Sequence, residues 1–105
     1  MTIKEFIDFL PSRVDENAVA GENVLFHFDI TGDEGGQHTV KVEDGNLSVH
    51  TGLEGAADCV VKMKDQHFTQ LMNKDLNPMM AVLTGKLKIS NQGLMMSWAN
   101  KLGLM

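Results

Sequence analysis

Few side chains in this 105-residue chain are placed to do chemistry. The four histidines are His27, His38, His50 and His67. None belongs to a His-Glu-x-x-His pair, the spacing that puts two imidazoles on one helix face for a metal. By alternation His27 and His50 fall on a polar sheet face. His38 falls in phase with core positions near a strand end, and His67 in the first turn of a helix. Solvated or locally hydrogen-bonded imidazoles are the plainer account of all four. Cys59 is the single cysteine; it alternates inward, where a thiol is inert rather than nucleophilic. There is no Gly-x-Ser-x-Gly elbow and no glycine loop that cradles phosphate. Gly32 and Gly35-Gly36 read as a loose hairpin link. With no acid–base pair and no activated nucleophile, neither catalytic nor metal residues are assigned, and no cofactor is expected.

What remains conspicuous is apolar. Eight residues are methionine, seven of them from Met63 onward, and tyrosine is absent. Met72, Met79, Met80, Met95 and Met105 fall on or beside expected helices. Methionine is flexible and polarizable and suits a surface that must fit variable apolar partners; for any one of them, filling an irregular core is the plainer account. Phe26, Phe28, Phe68 and Trp98 suit either a pocket wall or ordinary core anchoring.

These residues must be positioned by elements that the pattern delimits. Thr2-Ile3-Lys4-Glu5 is a capping box, followed by Ile3, Phe6, Ile7 and Leu10 at helical spacing. Pro11 ends or kinks that helix. A polar stretch follows, with a short helical turn near Glu16 to Ala20. From Val24 the period changes to two: Phe26, Phe28 and Ile30, then His38, Val40 and Val42. Asp44-Gly45 is a type I′ hairpin signal. It predicts Glu43 opposite Asn46, Val42 opposite Leu47 and Val40 opposite Val49, with both apolar pairs on one face. A fourth strand spans Cys59 to Lys64. Asp65 is expected to cap a helix carrying Phe68, Leu71 and Met72. Asn77-Pro78 opens a short helix with Met79, Met80, Val82 and Leu83, closed by Gly85. Leu87 and Ile89 mark a fifth strand. The last helix carries Leu94, Met95, Trp98 and Leu102. No internal repeat or linker divides the chain, so residues 1–105 are expected to form a single domain.

The totals bound the function. Acidic side chains outnumber basic ones 14 to 9 for a net charge of −5. That balance argues against a nucleic-acid partner, which needs a basic face for phosphates. One cysteine excludes an intrachain disulfide and points to a reducing, cytoplasmic setting. The N-terminus lacks the apolar core of a secretory leader, and no apolar run nears the roughly 20 residues that cross a bilayer. The final Gly103-Leu104-Met105 is not a peroxisomal address.

From Val24 onward the chain resembles the sterol carrier protein type 2 family of lipid-binding domains. The likeness rests on the Val24-to-Ile30 strand, the Asp44-Gly45 hairpin and the Asp65-Gln66-His67-Phe68 helix start. It is densest in Asp75-Leu76-Asn77-Pro78 followed by Leu83-Thr84-Gly85-Lys86-Leu87-Lys88-Ile89. Leu10-Pro11 and Gly21 are similar to the upstream part of bacterial members. The usual Gly-Asp before the last helix is replaced by Ser90-Asn91-Gln92-Gly93, where Asn91 can cap instead. The resemblance implies an α+β fold of two layers: a five-stranded mixed sheet of order 3-2-1-4-5 with one face covered by helices. It also implies a hydrophobic cavity between sheet and helices that holds an apolar lipid.

The expected function is non-enzymatic binding and carriage of such a lipid, whether fatty acyl chain, acyl-CoA, sterol-like molecule or phospholipid. The expected ligand contacts are Phe28, Phe68, Met72, Met80, Met95 and Trp98. The alternative is an accessory module that docks on a lipid-modifying enzyme or another protein. Lys62, Lys64, Lys86 and Lys88 alternate outward on two strands expected to be neighbours. They guard an edge against aggregation or make transient contact with a membrane or a protein. An exposed edge near Leu87 leaves both monomer and dimer open.

Overall fold

The computed structural model describes residues 2–99 and 101. Leu102 and Met105, expected on or after the last helix, lie outside the described residues. Helix α1 (Ile3–Asp8) starts on the capping box: the Thr2 hydroxyl accepts from the Glu5 N–H at 3.1 Å, and the Glu5 carboxylate accepts from the Thr2 N–H at 3.0 Å. Of the two outcomes expected at Pro11, the helical stretch shows the kink just before it. The chain breaks at Phe9, and α2 (Leu10–Arg13) carries Pro11 in its first turn, where no intrahelical donor is needed. The short turn expected near Glu16 is α3 (Glu16–Val19), capped by the Asp15 carboxylate.

Five strands follow the period-two segments: β1 (Val24–Thr31), β2 (Gly36–Glu43), β3 (Asn46–Thr51), β4 (Cys59–Lys64) and β5 (Leu87–Ile89). Their order is β3-β2-β1-β4-β5, with β1 and β4 parallel and the other pairs antiparallel. The hairpin register is the expected one, with Val42 opposite Leu47, Val40 opposite Val49 and Glu43 opposite Asn46. Asp44 at φ 51° and Gly45 at φ 80° are both left-handed, as a type I′ turn requires.

Three more helices complete the α layer: α4 (Asp65–Met72), α5 (Pro78–Leu83) and α6 (Gln92–Ala99). Asp65 does not cap α4. Lys64 holds the cap position, and Asp65 is the first helical residue; its carboxylate accepts from the Gln66 N–H at 2.7 Å and ties down the β1–β2 link through the Glu34 N–H at 3.0 Å. Asn77 does cap α5, accepting from the N–H groups of Met79 and Met80. Asn91 caps α6 through the Leu94 N–H at 3.1 Å. One apolar cluster joins the inner sheet face (Phe26, Phe28, Ile30, Val40, Val61, Met63) to Ile7, Leu10, Phe68, Ala81, Met95 and Trp98 of the helices. This is the two-layer α+β arrangement that the resemblance implies.

The other sheet face is not uniformly polar. Residues 52–58, which connect β3 to β4, cross it as a strap. The Thr39 hydroxyl donates to the Gly52 carbonyl at 2.7 Å and accepts from the Glu54 N–H at 2.9 Å. His27 Nε2 donates to the Glu54 carbonyl at 2.8 Å. Asp58 clasps Leu25 twice: its N–H donates to the Leu25 carbonyl at 2.8 Å and its carboxylate accepts from the Leu25 N–H at 2.9 Å. Thr39, the register partner of His27 on the face that alternation reads as polar, is consequently only 1% exposed.

Candidate functional site

The seam between the inner sheet face and helices α4–α6 is built by alternation on one side and helical spacing on the other. β1 contributes Phe26 and Phe28, and β4 contributes Cys59, Val61 and Met63. α4 delivers Phe68, whose ring meets Phe6 of α1 edge-on at 5.6 Å between centroids. α6 delivers Met95 and Trp98, and Trp98 meets Phe26 edge-on at 6.0 Å. Edge-to-face contact places the positive rim of one ring against the negative face of the other and fixes their relative tilt. Lys101 Nζ lies 4.7 Å from the Trp98 ring centroid and 3.6 Å from the Glu22 carboxylate, and its carbonyl accepts from the Asp15 N–H at 3.3 Å. The end of the α6 segment is thereby tied to α3.

Of the six residues expected to contact a ligand, Phe28, Phe68, Met95 and Trp98 are buried in this seam. Met72 is half-buried at its margin, and Met80 faces solvent. Met80 turns outward because Ala81 takes the inward position of α5: the helix packs closely against the core on its smallest side chain. Phe6 and Met63, not singled out as ligand contacts from sequence, belong to the same cluster. Their signal was only an inward phase, which every core residue shares. Two open depressions elsewhere on the described surface are lined by none of the six. One, of about 350 Å³, lies over Val60, Lys62, Lys88, Ile89 and Ser90. The other, of about 430 Å³, lies between Pro11, Val14 and Glu16 and the hairpin turn at Asp44-Gly45.

Burial favours the uncharged forms of two ionisable side chains on the inner sheet face, His38 and Cys59. Burial pushes the His38 imidazole below its ordinary value, with smaller opposed effects from Asp8 and Lys4. Burial also pushes the Cys59 thiol up, outweighing its hydrogen bond to the Asn91 carbonyl. The raised thiol pKa disfavours the nucleophilic thiolate at Cys59. Among the described residues no group of three or more His, Cys, Asp or Glu could hold a metal ion.

The lysines behave as alternation predicts. Lys62 and Lys88 stand directly opposite each other across β4–β5, and Lys64 and Lys86 are likewise exposed. Across β1–β4, Asp29 is the register partner of Lys62, which offsets part of the like-charge repulsion.

The sequence pattern of the SCP-2 sterol transfer family matches residues 3–102. Sterol carrier protein 2 from Homo sapiens is 38% identical over 80 residues, which cover 72% of this chain and 15% of that protein. The solution structure of palmitated SCP2L2 from Aedes aegypti superposes with a TM-score of 0.73 at 22% identity, covering 97% of this chain and 95% of the other. The inverting sec-alkylsulfatase Pisa1 from Pseudomonas sp. superposes with a TM-score of 0.76 at 22% identity, over 100% of this chain and 16% of that one. The solved likenesses show the same fold. The chain spans only 15% and 25% of the first two curated relatives it matches.

Proposed function

The chain belongs to the SCP-2 sterol transfer family, and from that premise we propose that it binds and carries an apolar lipid without chemically changing it. The observation that carries this reading is the seam itself: a continuous apolar layer of Phe28, Met63, Phe68, Met95 and Trp98 in which His38 and Cys59 are pushed towards their neutral forms. Such a layer offers dispersion and burial, worth about 25 cal/mol per Å² of apolar surface. Its roof suits ligand admission. Helices α4, α5 and α6 have eight, six and eight residues. Helices so short depend on tertiary packing, so a lipid that replaces the packing can displace them. Palmitate on the Aedes aegypti relative favours a fatty acyl chain among the candidate cargoes; acyl-CoA, sterol-like molecules and phospholipids share its apolar bulk. A reducing, cytoplasmic setting, where Cys59 stays a thiol, is part of the proposal.

The test is titration with a fluorescent fatty acid, following energy transfer from Trp98, the only tryptophan. Saturable binding tighter than roughly 100 μM, or about −5.5 kcal/mol, supports carriage, and its absence removes the support. A second reading is favoured by one observation: this fold accounts for 16% of the alkylsulfatase chain. On that reading the protein is an accessory module that presents a substrate to an enzyme. Native mass spectrometry of protein from its own source separates the two, showing co-bound lipid in one case and a co-bound protein in the other.

A further inference from the structure

The two edges of the sheet are built differently. β5, at one end, has three residues, and Lys86 and Lys88 are exposed along it. Short length and lysines both deter a further strand from pairing. β3, at the other end, has six residues, Asn46-Leu47-Ser48-Val49-His50-Thr51. It carries no lysine, arginine, carboxylate or proline, and its register with β2 runs from end to end without a bulge. None of the usual devices that blunt an edge is present on it.

The hydrogen-bond phase decides which backbone groups reach that edge. A two-residue type I′ turn closes on a pair that exchanges both bonds, here Glu43 with Asn46. At the far end the Gly52 N–H donates to the Gln37 carbonyl at 2.7 Å, which is the same phase. Asn46, Ser48 and His50 therefore bond to β2, and the N–H and C=O groups of Leu47, Val49 and Thr51 point away from it. Among the described residues these outward groups have no hydrogen-bond partner. The side chains of Leu47 and Val49 are half-buried against the core on the inner face, and Ser48 and His50 stand on the outer face, joined by Ser48 Oγ to His50 Nε2 at 3.1 Å.

We propose that β3 is the pairing edge of a homodimer, in which two copies join antiparallel about a two-fold axis at Val49 and merge their sheets into one. The two-fold sets Val49 against its own copy and Leu47 against Thr51 of the second copy. These are the residues whose backbone groups point outward, so the three pairs exchange about six hydrogen bonds. On the inner face the opposed side chains are apolar or Thr; on the outer face Ser48 meets His50 of the second copy, donor and acceptor against donor and acceptor. No charged side chain of the strand stands opposite another, and Glu43 at its corner is already held by Lys41 at 2.7 Å. The edge is thus complementary to itself, which is what an isologous contact needs. The same operation at β5 sets Lys88 against its own copy, which disfavours it. With one open edge per chain, association stops at two. The contact is small, so it is weak and concentration-dependent. The proposal is independent of lipid carriage: α4, α5 and α6 pack on β1, β4 and β5, so pairing at β3 leaves the seam uncovered.

The experiment is sedimentation velocity of the full chain from about 1 μM to about 1 mM, the range in which weak association shows. The expected result is a reversible monomer–dimer equilibrium with no larger species. S48K/H50K places lysines opposite lysines across the two-fold and weakens dimerisation roughly tenfold, and S48E/H50E does the same with carboxylates. An equimolar mixture of the two variants regains the dimer, because the register then sets each lysine opposite a glutamate. A folding defect in either variant could not be repaired by mixing, and thermal melts check each one alone. A wild type that stays monomeric throughout overturns the proposal and leaves the edge to an extended peptide of another protein. Growth beyond two copies overturns it as well. So do folded charge variants that dimerise as tightly as the wild type, or a mixture of them that stays monomeric. Fatty-acid affinity is measured separately, so failure here leaves carriage standing.

Discussion

Phe68→Ala tests whether the seam is a single packed unit that lipid can enter. Phe68 is buried where α4 meets the sheet, and its ring contacts Phe6 of α1 at 5.6 Å. Removing the ring forfeits its transfer free energy and leaves a void, at a cost of about 3–5 kcal/mol for a site that cannot collapse. Collapse is restricted here because β1 and β4 form a rigid floor and α1 is held by its capping box. Against a total stability of about 5–15 kcal/mol for a domain of this size, the variant stays folded but is markedly weakened. The midpoint of thermal unfolding falls by roughly 12–40 °C, since each kcal/mol shifts it by about 4–8 °C. Urea unfolding followed by Trp98 fluorescence gives the free energy directly, and an unchanged m value shows that the same surface is exposed. The void also changes ligand response. A fatty acid that lies in the seam stabilises the folded state by about 2.7 kcal/mol at a hundredfold excess over its Kd, and the variant regains part of its loss because the chain fills the void. Met80→Ala, on the exposed face of α5, is the matched control and changes stability by about 0.5 kcal/mol or less. A loss under about 1 kcal/mol for Phe68→Ala would refute the packing argument. If fatty acid stabilises neither the wild type nor the variant, the seam is not where lipid binds.

Three further outcomes follow from single groups. His38 is buried with its pKa below the ordinary value of 6.5, so the unfolded chain binds the extra proton; stability is fully present above the unfolded pKa and declines as pH falls below about 6.5, down towards the folded pKa. His38→Gln flattens that part of a pH series of urea midpoints, and an unchanged slope would place its origin elsewhere. Cys59 reacts with an aromatic disulfide reagent only as fast as the protein opens, because its thiol is buried and pushed up in pKa; a fast reaction in native buffer contradicts this. Thr39→Val keeps the shape but strips the two hydrogen bonds that Thr39 makes to the strap, at a cost of about 1–3 kcal/mol. Hydrogen exchange at Glu54 should accelerate selectively, and uniform acceleration across β2 would mean that the sheet, rather than the strap, had loosened.

What the sequence determined by itself was local. The Asp44-Gly45 turn set the β2–β3 register, because only two left-handed residues close a type I′ hairpin and the apolar period then admits one pairing. Asn77 and Asn91 located two helix starts, because a cap acts on N–H groups two or three residues away. Alternation placed Lys62 and Lys88 outward and Cys59 inward. Strand order came only through the family likeness, since alternation says nothing about which strands are neighbours. Other features exist only once the chain is folded. Thr39 is buried because a connection thirteen to fifteen residues further on crosses the sheet, and no periodicity announces a strap. Met80 looks like any other methionine at helical spacing; that it faces water follows from Ala81 docking α5 against the core, a rotation chosen by close packing rather than by composition. The placing of Lys62 opposite Lys88 has the same origin. Residues more than twenty positions apart become neighbours only when β5 pairs with β4, a long-range pairing that tertiary packing stabilises and local propensity cannot specify.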